Sequence, residues 1–126
     1  MRRGYEWVKE FMVKIIGIAM KVHSDLGSGF LEKVYENAMM VLLEKEIIRA
    51  EQQKEIKINY YGKSIGNYVA DILVDEKIIV ELKTVDKLTD IHSAQIINYL
   101  KATEIKVGLL INFKNSKLEY KRFVYW

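Results

Sequence analysis

The stretch "KEIKINYYGKSIGNYVADILVDEKIIVELKTV", residues 54–85, limits the fold more than any other part of the chain. It holds three runs rich in Ile, Val and Tyr, at about 54–60, 65–74 and 77–83, separated by turn signals at Gly62–Lys63 and Asp75–Glu76. Strands joined this closely pair as antiparallel hairpins. The segment is therefore a three-stranded antiparallel unit with alternating faces, and something must cover the apolar one.

The rest of the chain supplies that cover. Trp7, Val8, Phe11, Met12, Ile15, Ile16, Ala19 and Val22 recur at three- and four-residue spacing, which predicts a helix over about 5–23. "DLGSG" then turns the chain into a second helix over about 30–46, with Leu31, Val34, Tyr35, Ala38 and Leu42 on its buried side. "LTDIHSAQIINYLKATE" returns to helical spacing through Ile91, Ala94, Ile97 and Leu100, with Asp90 as N-cap. "KVGLLINF" and "KLEYKRFVYW" close the chain as two strands. The order ααβββαββ predicts an α/β (α+β) fold, a mixed sheet of about five strands flanked by helices. No repeat, low-complexity tract or linker divides residues 1–126, so one domain is expected.

Composition excludes several classes. Half the 126 residues are hydrophobic and 29% are charged, which fits a globular protein and not a disordered one. Lys, Glu or Asp interrupts every long apolar run, so no membrane span is expected. "MRRGYEWVKEFMVKIIGIAMKVH" carries charges through its apolar part and reads as an amphipathic helix, not a signal peptide. Without cysteine there is no disulfide or thiolate metal site, which is compatible with the cytoplasm, the expected location. The net charge of +3 allows a nucleic-acid partner. Lys114, Lys117, Lys121 and Arg122 gather near the C-terminus, either to meet phosphates or to guard a strand edge.

Chemistry concentrates in the hairpin formed by the second and third strands. Alternation sets Asp71 on a face with Val69 and Leu73, and Glu81 with Ile79 and Lys83. A three-residue connection, Asp75–Lys77, sets Asp71 opposite Glu81 and Leu73 opposite Ile79. A two-residue turn would put the acids on opposite faces. The first register is the expected one. Two carboxylates ~4 Å apart repel by ~4 kcal/mol at an effective dielectric near 20. Lys83 can supply part of the missing positive charge. A divalent cation supplies more, and an all-oxygen donor set suits Mg²⁺ or Mn²⁺. The structural alternative is an ion pair at the mouth of the sheet. Glu-x-Lys occurs four times, but only Glu81–Lys83 has an apolar strand ahead of it and an Asp ten residues upstream.

"GNYVAD" followed by "VELK" resembles the second and third motifs of the PD-(D/E)XK nuclease superfamily, and "AQIINYLKAT" resembles the Gln-x-x-x-Tyr helix of its RecB-like branch. "LGSGFLEKVYENAM" holds Gly29, Glu32 and Tyr35 at the spacing that names the GxxExxY family within that superfamily. Two departures stand out. Ala70 occupies the place of the proline before the first acid, and Ser28 the place of a proline common before Glu32. Neither removes a group that does chemistry.

The resemblance implies a restriction-endonuclease-like core and a metal-dependent nuclease acting on nucleic acid, DNA rather than RNA. It implies Asp71 and Glu81 as Mg²⁺ or Mn²⁺ ligands, with the Leu82 backbone carbonyl, and Glu32 through water. Lys83 would position water or stabilise the phosphate, while Gln95, Tyr99 and Tyr35 would contact substrate. Each has a plainer reading: Glu32 as a first-turn carboxylate favoured by the helix dipole, Tyr35 as a core aromatic, Gln95 and Tyr99 as helix surface. His92 and His23 read as helix-end residues without a role. The alternatives to a nuclease are a non-cleaving module that binds nucleic acid or protein, and a homo-oligomer assembled through the aromatics of "YKRFVYW".

Overall fold

The structure, a computed structural model, describes residues 2–125. Its elements are α1 (Arg2–Leu26), α2 (Glu32–Lys45), β1 (Ala50–Tyr60), β2 (Lys63–Val74), β3 (Ile78–Lys83), α3 (Asp90–Thr103), β4 (Val107–Asn112) and β5 (Glu119–Val124). This is the expected order ααβββαββ. One five-stranded sheet runs β1-β2-β3-β4-β5, antiparallel except where β3 lies parallel to β4. A parallel neighbour requires a crossover, and α3 provides it.

Alternation along the two central strands sorts the core into two layers. Ile78, Val80 and Leu82 of β3 join Val107, Leu109 and Ile111 of β4 against α1 and α2. Ile79 and Leu110 face the opposite way, among the residues that pack with α3. The α1 stripe is as predicted: Val8, Met12, Ile15, Ile16, Ala19 and Val22 are buried. Phe11 is only partly buried, and Trp7 lies 44% exposed.

The other two helices are rotated from their predicted faces. On α2 the buried residues are Tyr35, Glu36, Met39 and Leu43, while Leu31 is 80% exposed. The cause is polar. The Tyr35 hydroxyl donates to the Gly27 carbonyl (2.6 Å) and accepts from the Phe30 amide (3.2 Å), and its ring stacks on Phe113 at 4.6 Å. Pinning Tyr35 inward turns its neighbour Glu36 inward as well.

On α3, Ile96 and Leu100 are buried, whereas Ile91 and Ala94 are exposed. Both buried side chains pack over Gly108 of β4. A Cβ at that position would lie 2.9 Å from Ile96 Cδ1, so glycine lets the Ile96 side chain seat directly on the sheet. The N-cap is Thr89 rather than Asp90, in a capping box with His92.

The aromatics near the C-terminus are mostly packed. Tyr120 and Val124 lie against the α1–α2 layer, and Phe123 lies on the α3 side. Only Tyr125 is exposed among those described, and Trp126 lies outside the described residues. No helix among the described residues is long and apolar enough to cross a membrane.

Candidate active site

β2 and β3 pair through Ile72↔Val80, Leu73↔Ile79 and Val74↔Ile78, across the three-residue connection Asp75–Lys77. The next opposed residues in this register are Asp71 and Glu81, but there the backbone ladder stops. Side chains take over: the Asp71 amide donates to Glu81 Oε2 at 2.9 Å, and the Leu82 amide donates to Asp71 Oδ2 at 2.8 Å. Each carboxylate thus satisfies an amide of the other strand. Since a residue's N–H and C=O leave a strand on the same side, the Leu82 carbonyl also points toward β2 and the acids.

Strict alternation fails at this point. Tyr68, Ala70 and Leu73 pack together on the α3 side, while Ile72 and Val74 face α1 and α2. The expectation that Val69 shares a face with Asp71 and Leu73 is therefore wrong, and Val69 is 46% exposed. β1 turns opposite the same point. Gln53 has φ +51°, a left-handed conformation that costs a non-glycine residue about 1 kcal/mol or more. That twist directs its side chain to donate to Glu36 Oε1 (2.9 Å) and Asp71 Oδ1 (3.4 Å). Period-two reasoning cannot anticipate a strand that changes face midway.

The carboxylates are short of positive charge. Burial, then the charge of Asp71, pushes Glu81 up to about 7 from its ordinary 4.5. Asp71 is raised by burial and partly restored by the Leu82 amide. Glu32, in the first turn of α2, is raised by burial and then by Asp71, with Lys83 acting the other way. Among the described residues Lys83 is half-buried and enters no ion pair. The structural explanation for Glu81–Lys83, a mutual salt bridge, is thus not realised.

The rotation of α3 that buries Ile96 and Leu100 carries His92, Gln95 and Tyr99 to a small cleft that they share with Glu81 and Lys83. Gln95 and Tyr99 therefore line the same cleft as Glu81 and Lys83. His92, given no role from sequence, joins them. The Thr89 amide donates to its Nδ1 at 3.0 Å, which leaves the proton of the neutral ring on Nε2. Sequence reasoning also missed Tyr68. Its ring stacks on Tyr99 (3.7 Å, 18°), and its buried hydroxyl lies beside Glu81 without meeting hydrogen-bond geometry.

Two polar networks support the site. Glu36, 2% exposed, accepts from Lys33 (2.8 Å), Gln52 (2.5 Å) and Gln53 (2.9 Å), tying α2 to β1 beneath Asp71. Buried Asn112, opposite Lys83 across the parallel pair, bonds both the amide and the carbonyl of Val85 and donates to Glu119. Glu119 in turn accepts from the Leu88 amide (3.1 Å), so the loop leaving Lys83 is held at both ends. Tyr35 is fully buried, its hydroxyl engaged in the α1–α2 connection, and is not brought to the cleft.

The oxygens suit a hard divalent cation: two carboxylates raised by burial, whose charge Lys83 offsets only in part, and no sulfur. Among the described residues, no three of His, Cys, Asp and Glu stand close enough to hold a metal ion together.

Comparison with known proteins agrees with this architecture. No curated protein matches the chain. Among solved structures, the fold is similar to that of a protein designated SSO0001, with 22% identity and a TM-score of 0.57, over 74% of this chain and 49% of that one. It is also similar to an alkaline exonuclease (LHK-Exo) from Laribacter hongkongensis, with 12% identity and a TM-score of 0.47, over 75% of this chain and 56% of that one. The matched region thus spans about half the length of each. The sequence profile of the PD-(D/E)XK nuclease superfamily matches residues 9–123, from α1 into β5, and the chain belongs to that superfamily.

Proposed function

We propose that the protein is a metal-dependent nuclease of the GxxExxY type that hydrolyses phosphodiester bonds in nucleic acid, with DNA as the expected substrate. The observation that carries this reading is the pairing of Asp71 with Glu81 beside a half-buried Lys83 that enters no ion pair among the described residues. Asp71 and Glu81, with the Leu82 carbonyl, would hold Mg²⁺ or Mn²⁺, and Glu32 would act through water. The cation, when bound, supplies Lewis acidity toward the scissile phosphate and toward the attacking water.

The chain's own side chains do the rest. The Lys83 ammonium, on the strand whose outgoing loop the Asn112 network fixes, stabilises negative charge that grows on the phosphate oxygens. Gln95 and Tyr99 approach from α3 and hold the substrate strand in line. His92 presents an Nε2–H donor to the same cleft. Tyr35 acts indirectly, by fixing the connection that delivers Glu32.

Cleavage of DNA and RNA with Mn²⁺ by wild type, Asp71→Ala and Lys83→Ala tests the reading. Activity confined to wild type supports it. Equal activity in all three would assign the cleavage to another site or to a contaminant.

One observation favours a second reading, a non-cleaving nucleic-acid- or protein-binding module: no third acid completes the metal site among the described residues. Calorimetric titration separates the two, because a binding module takes up no Mn²⁺ at millimolar concentration.

A further inference from the structure

Tyr68 stands apart from the groups already assigned. It is 4% exposed, and its Oη is the single buried side-chain polar atom among the described residues that has no hydrogen-bond partner. A buried hydroxyl that has lost water and gained nothing destabilises the fold. Phenylalanine would keep the stack on Tyr99 and the contacts with Ala70, Leu73 and Ile79 while avoiding that cost. The hydroxyl is also not aimed at random. It lies beside the Glu81 carboxylate, whose Oε2 accepts from the Asp71 amide.

We propose that Tyr68 is a positioning residue whose hydroxyl donates to the Glu81 carboxylate when that carboxylate engages the cation. This rests on the metal-dependent reading above. The backbone twist at Asp71 is what makes the arrangement possible, because it brings Tyr68 to the face that Glu81 occupies. The Tyr99 stack fixes the ring, so the hydroxyl has one available direction. A carboxylate held by the Asp71 amide and the Tyr68 hydroxyl together presents itself to a cation in one orientation. Partners of this outer kind typically contribute 10- to 100-fold to metal affinity or activity.

Tyr68→Phe removes one oxygen atom and separates this role from a structural one. Metal-free melting of the variant should equal or exceed that of wild type. Its Mn²⁺ affinity by calorimetry should fall about 10-fold. In cleavage assays the loss should lie in kcat, with KM for the oligonucleotide unchanged. A lower metal-free melting temperature with wild-type Mn²⁺ affinity would make the hydroxyl a structural group and overturn the proposal. If wild type itself binds no Mn²⁺, the metal-dependent reading fails, and the role of Tyr68 fails with it.

Discussion

The Asp71 amide donates to the Glu81 carboxylate, and the amide following Glu81 donates back to the carboxylate of Asp71. Two acids that repel are thereby held by each other's strands at the place where backbone pairing ends. The arrangement fixes both side chains without neutralising either.

The first consequence concerns charge. Asp71→Asn and Glu81→Gln each keep an oxygen that can accept the amide now bound, but remove a buried negative charge. Both variants should be more stable than the metal-free wild type at pH 7, by about 1 kcal/mol in urea denaturation, and neither should cleave nucleic acid. Loss of stability in both would show that the carboxylate charge is structural.

Lys83 gives the complementary case. It enters no ion pair among the described residues, so Lys83→Ala should change the melting temperature by no more than about 3 °C. Cleavage should fall about 100-fold, the usual effect of removing one donor to a developing negative charge. Comparing kcat with thermal unfolding of one preparation checks both.

Stability should depend on pH in a direction set by burial. Glu81 is pushed from 4.5 to about 7, and Asp71 and Glu32 are also raised. Between those limits the folded, metal-free protein binds more protons than the unfolded chain, so stability falls as pH rises. Melting in EDTA should therefore be highest near pH 4.5 and decline through pH 7. Mn²⁺ should flatten the decline, and Glu81→Gln should remove most of it.

Glu36 serves the site by holding α2 to β1. Glu36→Ala leaves Lys33, Gln52 and Gln53 without their shared acceptor and should destabilise the protein by about 3 kcal/mol in urea. Glu36→Gln, which keeps an acceptor, should cost less than half of that.

Much of this was legible in the sequence. The element order follows from helical spacing and short turns, and the three-residue connection between Val74 and Ile78 follows from setting Asp71 opposite Glu81. Wherever hydrophobicity alone sets the face, as along Ile78–Leu82 or Met12–Val22, periodicity suffices. It fails where a polar contact or a glycine overrides it. Tyr35 turns α2 so that Glu36 is inside, and on α3 Ile96, seated over Gly108, takes the place expected for Ile91. At Gln53 and Asp71 two paired strands change face together, which moves Tyr68 beside Glu81. Tyr68, Glu36, Gln53 and Asn112 each depend on such tertiary contacts, and none carries a local motif that marks it.

The central claim is that Asp71 and Glu81 hold a divalent cation. Anomalous diffraction from a crystal soaked in Mn²⁺ addresses it most directly. The expected result is one strong peak between the Asp71 and Glu81 carboxylates, beside the Leu82 carbonyl, that disappears in Asp71→Asn. A peak elsewhere, or none between the acids at millimolar Mn²⁺ in a preparation that still cleaves nucleic acid, would contradict it.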